Sequence, residues 1–328
     1  MKKILSLMLC IAMLFALSAC GATEEPATEA STLKFGSAVY VPAASATSAT
    51  EDANGAGELN VTIAAVSVDA DGKIVACALD SAQNKVSYTI DGKAVGNPEA
   101  KTKYELGKDY NMVAYGGAAK EWFEQADAFE GVVAGKTLDE VKALMVEGYG
   151  NDDVKAAGCT IAIGDFIGAV EKAYNAAAAS DVTANDTLKV TAYTVQEIAD
   201  ATADKAGSNK VSVYTFAAAV NAEGKVVKGV SDCVEADFTF DTKGATTFDA
   251  TVAIQSKREK GSNYGMVAYG GAAKEWFEQV DAFDALCVGK TGAEIAGLIS
   301  NDGKGVEEVQ TAGCTIYVSG LVKAASKI

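Results

Sequence analysis

Two short segments hold most of the chemistry open to this chain, Gly158-Cys159-Thr160 and Gly313-Cys314-Thr315. Each sets a thiol and a hydroxyl behind a glycine, just ahead of an apolar stretch of helical period. Free backbone N–H groups and the helix dipole favour a phosphate there. The remaining inventory is narrow. The 328 residues include no histidine, which excludes Ser-His-Asp and Cys-His catalysis and histidine metal sites. Arg258 is the only arginine, so no guanidinium cluster exists to clamp phosphates or carboxylates. We assign no catalytic residue and no metal ligand. Beyond Cys10 and Cys20, the thiols are Cys77, Cys159, Cys233, Cys287 and Cys314. Their number is odd, and only Cys159 and Cys314 recur in the repeat described next, so they are not a disulfide framework. A two-thiol redox device built from that pair requires the two Cα atoms within about 7 Å.

These segments belong to a larger duplication. Met112-Val-Ala-Tyr-Gly-Gly-Ala-Ala-Lys-Glu-Trp-Phe-Glu-Gln125 returns without change at Met266–Gln279. The echo continues through Asp127-Ala-Phe129 and Asp281-Ala-Phe283, Gly135-Lys-Thr137 and Gly289-Lys-Thr291, and Ala157-Gly-Cys-Thr-Ile161 and Ala312-Gly-Cys-Thr-Ile316. A self-match at the spacing of a whole domain marks one domain present twice. Tyr115 and Tyr269 stand beside paired glycines, where a ligand can approach the backbone. Together with Trp122, Phe123, Trp276 and Phe277 they are the aromatic candidates for stacking on a planar ligand. The two tryptophans lie at helical spacing with other apolar residues, a pattern more often core than binding site.

The elements that must position these residues change period within each copy. Thr32-Leu33-Lys34 opens the first copy and is matched by Thr187-Leu188-Lys189. Strands are expected at Phe35–Val41, Val61–Val68, Ile74–Leu79 and Val86–Ile90, with counterparts at Val211–Val220, Val226–Val230 and Phe238–Phe240. The turns Asp69-Ala-Asp-Gly-Lys73 and Asn221-Ala-Glu-Gly-Lys225 read as hairpins with Gly at positive φ. Asp69–Gly72 lacks the later ligands of a calcium loop. Helices follow from Trp122, from Leu138 to Glu147 behind the capping box Thr137-Leu-Asp-Glu140, and from Asp165 to Tyr174. Gly135-Lys136-Thr137 is no nucleotide loop, because Glu130 stands where that motif needs a glycine. The expected fold is therefore α+β, two homologous tandem domains, each an antiparallel meander with packed helices. They span residues 32–178 and 187–328, joined by a linker at 179–186.

Lys2-Lys3, a short apolar run and Leu17-Ser18-Ala19-Cys20 read as a secretory signal over residues 1–19. The run is shorter than the ~20 residues a bilayer span requires. Leu17–Cys20 resembles a bacterial lipobox, which makes Cys20 the lipidated residue and residues 20–31 a flexible tether. The expected location is the extracytoplasmic face of a membrane, with the lipid as anchor. Formal net charge is −16, and loss of Lys2 and Lys3 leaves 26 basic against 44 acidic residues. So acidic a surface repels nucleic acid, and none is expected as a partner.

The order of meander, Trp-Phe helix, Thr-capped helix, Gly-x-Thr-Ile and final Ala-Val-Glu-Lys-Ala helix resembles the extracytoplasmic FMN-binding domain. In that family the Gly-x-Thr segment reads Ser-Gly-Ala-Thr, and its Thr can carry FMN through a phosphoester made by a flavin transferase. By that resemblance Thr160 and Thr315 are the matching threonines, and Gly158, Cys159, Thr160, Gly313, Cys314 and Thr315 lie at the cofactor. Ala157 and Ala312 stand where the family has Ser or Thr, Cys159 and Cys314 where it has Ala. Val154 and Val309 replace the acid six residues before the threonine. The resemblance implies a flavin-binding electron carrier, with a flavin transferase and a redox protein as partners. The alternative from the residues alone is a non-catalytic surface lipoprotein that binds another small ligand or a protein.

Overall fold

Strand β3 (Gly55–Val68) is buried continuously from Val61 to Val68, so it must be covered on both faces. Its alternate residues go to two different places. Ala64, Val66 and Val68 pack under the helices of their own repeat. Leu59, Val61 and Ile63 pack against Val211, Val213, Val234 and Phe238 of the other repeat. Strand β10 (Gly207–Val220) divides in the same way, with Phe216, Ala218 and Val220 under the second set of helices. Helices, sheet, sheet and helices thus form four successive layers. The structure is a computed structural model and describes residues 31–96 and 100–328. The signal segment 1–19, Cys20 and the tether up to residue 30 lie outside the described residues.

In the first repeat, β1 (Lys34–Tyr40), β2 (Ser45–Thr47), β3, β4 (Ile74–Tyr88) and β5 (Ala94–Val95) form an antiparallel sheet. The helical part follows as α1 (Lys103–Leu106), α2 (Trp122–Val133), α3 (Leu138–Lys142), the hairpin β6 (Met145–Val146) and β7 (Tyr149–Gly150), α4 (Asp152–Ala157) and α5 (Gly164–Asn175). Strand β8 (Ala178–Ala179) straddles the expected boundary between the first repeat and the linker, and it pairs with Lys34 and Phe35 at the sheet edge. The second repeat runs β9 (Thr187–Ala199), β10, β11 (Val226–Phe240), α6 (Lys257–Lys260), α7 (Trp276–Cys287), α8 (Gly292–Ile295), α9 (Glu307–Ala312) and α10 (Ser319–Ala325). The class is α+β with antiparallel sheets. Among the described residues no helix is long and apolar enough to cross a membrane.

Three expectations need correction. Ile74–Leu79 and Val86–Ile90 are not two strands but the ends of the single strand β4, and β11 likewise joins its two pieces. The polar middle of β4 hid this, because Asp80, Ser81 and Asn84 are buried yet hydrogen-bonded. Helix α3 stops at Lys142, where the chain turns into the β6–β7 hairpin. The match of Leu33 to Leu188 slips by two residues. Lys34 pairs with Val68 and Thr187 with Val220, so Phe35 is the true counterpart of Leu188. A two-residue slip keeps the same face, which is why the pattern did not expose it.

From Ser31 to Ile328 the chain is one compact unit, and the repeats meet reciprocally. Lys172 of α5 pairs with Glu259 at 2.5 Å, and Lys327 near the chain end pairs with Glu105 at 2.5 Å. The Ala201 amide donates to the Gly92 carbonyl, and the Ala49 amide to Gly244, both at 2.8 Å. Tyr88 and Phe240, the final residues of β4 and β11, stack on each other with centroids 4.4 Å apart. Contacts that repeat with the partners exchanged are the mark of a two-fold, isologous interface.

Candidate functional site

The fourteen repeated residues form a loop and the first turn of a helix. A carboxylate at the helix start organises the loop: Glu121 accepts the amides of Met112 at 2.9 Å and Val113 at 3.3 Å. Glu275 does the same for Met266 and Val267. The Ala118 amide closes on the Met112 carbonyl, and Ala272 on Met266, at 3.0 Å. Gly116 is required, since a Cβ there would lie 2.6 Å from the Met112 carbonyl oxygen, and Gly117 sits at φ +66°. The result is a tight, internally bonded loop with Tyr115 at its tip, 87% exposed, and Tyr269 92% exposed. Val113, Ala114 and Ala119 are also exposed, as are Val267, Ala268 and Ala273.

The helix that follows joins this loop to the Gly-Cys-Thr segment. Gln125 is buried, and its Oε1 accepts the Thr160 amide at 2.8 Å and the Thr160 hydroxyl at 3.1 Å. Its Nε2 donates to the Lys120 carbonyl at 3.0 Å. Gln279 repeats the clamp on Thr315, at 2.9 and 3.0 Å. Lys120 reaches the Ala157 carbonyl at 3.4 Å, and Gly158 leaves it room, because a Cβ there would lie 2.1 Å from Lys120 Nζ. In each copy, then, the loop and the Gly-Cys-Thr segment are neighbours.

Placed one by one, the predicted residues separate into two groups. Gly158 and Gly313 cap α4 and α9 at φ +110° and +106°. The amides of Gly158 and Cys159 donate to the Val154 carbonyl, and that of Thr160 to Gln125. None of the three N–H groups is left for a phosphate, contrary to the expectation for a helix start. Helix α5 begins only at Gly164. Cys159 and Cys314 are fully buried in different cores, and all five described cysteines are free thiols. That corrects the two-thiol reading. Burial pushes the Cys159 thiol up, and Cys314 to about 11. Trp122 and Trp276 are core residues at 3% and 4% exposure, Trp122 edge-on to Phe166 and Tyr104. Tyr115, Tyr269, Thr160 and Thr315 face solvent.

Two features were missed by sequence reasoning. One is the clamp by Gln125 and Gln279, whose only sign was identity at the end of the repeated stretch. The other is a group of carboxyls: Asp80 and Glu130 line a cleft between the repeats, and exposed Asp127 lies near Glu130 on the same helix. Burial raises Asp80 to about 7 and Glu130 to about 8, the latter helped by the charges of Asp127 and Asp80. Among the described residues no group of three or more acidic, thiol or imidazole side chains is placed to hold a metal ion. No family model, no curated protein and no solved structure matches the chain.

Proposed function

We propose that this chain is a lipid-tethered, extracytoplasmic binding protein of two homologous repeats, each presenting the same tyrosine-tipped loop to a protein partner. One observation carries the reading. The strands Val61–Val68 and Val213–Val220 agree only at Val61/Val213, Ala65/Ala217 and Val68/Val220, so the framework of the copies has diverged. The loop has not changed at all, although Val113, Ala114, Tyr115 and Ala119 touch little of the protein. Packing does not demand that identity, whereas a shared partner does. A rigid loop carrying a tyrosine gives large contact area with little entropy to lose. Two copies on one chain add avidity wherever both reach their targets.

The test is to place a photo-crosslinking phenylalanine at position 115 or 269 in cells. The same adduct is expected at both positions and none at exposed Val252. Tyr115→Ser with Tyr269→Ser should lower retention of that partner at least tenfold. Equal adducts at Val252, or no loss in the double variant, would overturn the proposal. The flavin-carrier reading has one observation in its favour, the solvent exposure of Thr160 and Thr315. Coexpression with a flavin transferase tests it: yellow colour in the acid-precipitated pellet supports covalent FMN, and Thr160→Val with Thr315→Val should then bleach it. A colourless protein that does not take up added FMN rejects it.

A further inference from the structure

The duplication supplies an internal comparison at the cleft between the repeats. In the second copy the lone arginine is held on every side. Arg258 donates from Nη1 to Asp281 at 2.7 Å, from Nη2 to Asp284 at 2.8 Å, and from Nε to the Ser231 carbonyl. Asp284 is tied down by the Ser231 amide at 2.9 Å and hydroxyl at 2.5 Å. Below it, Asp232 accepts the Arg258 amide at 3.1 Å.

The first copy keeps the anionic half of this arrangement and lacks the cation. Asp80 takes the place of Asp232 and accepts the Tyr104 amide at 3.2 Å. Glu130 takes the place of Asp284 and accepts the Leu79 amide at 2.7 Å. Asp127 takes the place of Asp281. Where the second copy has Arg258, the first has Tyr104, whose hydroxyl donates to Asp127. Among the described residues no lysine or arginine pairs with Asp80, Asp127 or Glu130. A cavity of about 220 Å³ opens at this place, lined by Leu79, Tyr104 and Glu130, and by Lys189, Val190 and Thr191 of the other repeat. It is roomy enough for a planar cation, and the carboxyls stand apart rather than converging as metal ligands would.

We propose that this cleft binds a guanidinium group, between Glu130 and Asp127, in the position that Arg258 occupies in the second repeat. The planar fork matches two carboxylates and a backbone carbonyl better than an ammonium does. The ring of Tyr104, freed from Asp127, then serves as a cation–π face. The guanidinium belongs either to a small free cation or to an arginine side chain of another protein.

Titration calorimetry of the full chain in mild detergent at pH 8.5 tests this. The probes are methylguanidinium, methylammonium and the capped peptide Gly-Arg-Gly. Saturable binding of one methylguanidinium per chain is expected, with methylammonium at least tenfold weaker. Glu130→Gln should weaken binding tenfold or more. Tyr104→Arg should abolish it by filling the cleft from within, and should raise the melting temperature. A peptide that binds more tightly than methylguanidinium identifies a partner's arginine as the source, and equal or weaker binding identifies a free cation. No saturable binding to the unaltered chain, or binding that survives both substitutions, overturns the proposal. Glu130→Gln, a substitution of equal size, keeps the test valid should Tyr104→Arg fail to fold.

Discussion

Glu130 illustrates how one side chain links stability to pH. Its carboxyl rises from 4.5 to about 8, chiefly because burial disfavours the charged form. A raised folded-state value means that its contribution to stability is complete below pH 4.5 and is lost as pH climbs through 8. Asp80, raised to about 7 by burial, acts in the same direction. Urea midpoints should therefore fall between pH 5 and pH 9, and Glu130→Gln should remove part of that fall, on the order of 3 kcal/mol. Parallel profiles for the two proteins would contradict this account. In the sequence Glu130 stands out only as the residue that occupies a glycine position of the nucleotide-loop motif, and nothing there marks its carboxyl as desolvated. Leu188 and Val190 of the second repeat face it across the cleft, neighbours that lie far away in sequence. Thr160 shows the opposite limit. Its position was legible from the repeat, but the partner of its amide was not, since Gln125 lies 35 residues away.

At the level of elements, local chemistry carried most of the reading. The capping boxes at Thr137 and Thr291 form as expected, with each threonine accepting the amide of Glu140 or Glu294. The Asp69 turn closes through its side chain, which accepts the amides of Asp71 and Lys73, with Gly72 at φ +78°. Such signals reside within four residues and survive any tertiary arrangement. The long strands β4 and β11 were split because buried Asp80, Ser81 and Asn84 break the alternation, and a neighbour must satisfy them. Thr194 of the other repeat donates to Asn84 at 2.9 Å, a contact no local pattern encodes. The tyrosine loop depends on a single group in the same sense. Glu121→Ala removes the acceptor for the Met112 and Val113 amides and should destabilise the chain by about 1–3 kcal/mol. Hydrogen exchange at those two amides should accelerate well beyond the change in global stability. A loop that retains its protection in this variant would show that Gly116 and Gly117 suffice to shape it.

For the molecule as a whole, the decisive property is that each repeat completes the other. Leu59, Val61, Ile63, Val211, Val213 and Phe238 form one cluster drawn from both sheets. An apolar surface of that kind, exposed by separation, would not stay in water. The reciprocal ion pairs Lys172–Glu259 and Lys327–Glu105 are 30–39% exposed, so they set the alignment more than they hold it. The two repeats should consequently unfold together, although a chain of this length commonly unfolds in parts. The sequence carries its own probes, because Trp122 and Trp276 are its only tryptophans and each lies in the core of one repeat. Trp122→Phe leaves fluorescence from the second repeat alone, and Trp276→Phe from the first. Their urea curves, each normalised to its own calorimetric stability, should coincide in a single transition. Phe238→Ala, introduced into either background, should cost about 3–5 kcal/mol and move both curves together, since Phe238 packs against Gly57 of the other repeat as well as its own neighbours. A shift confined to the Trp276 signal would mean that the sheets merely touch and that each repeat carries its own stability.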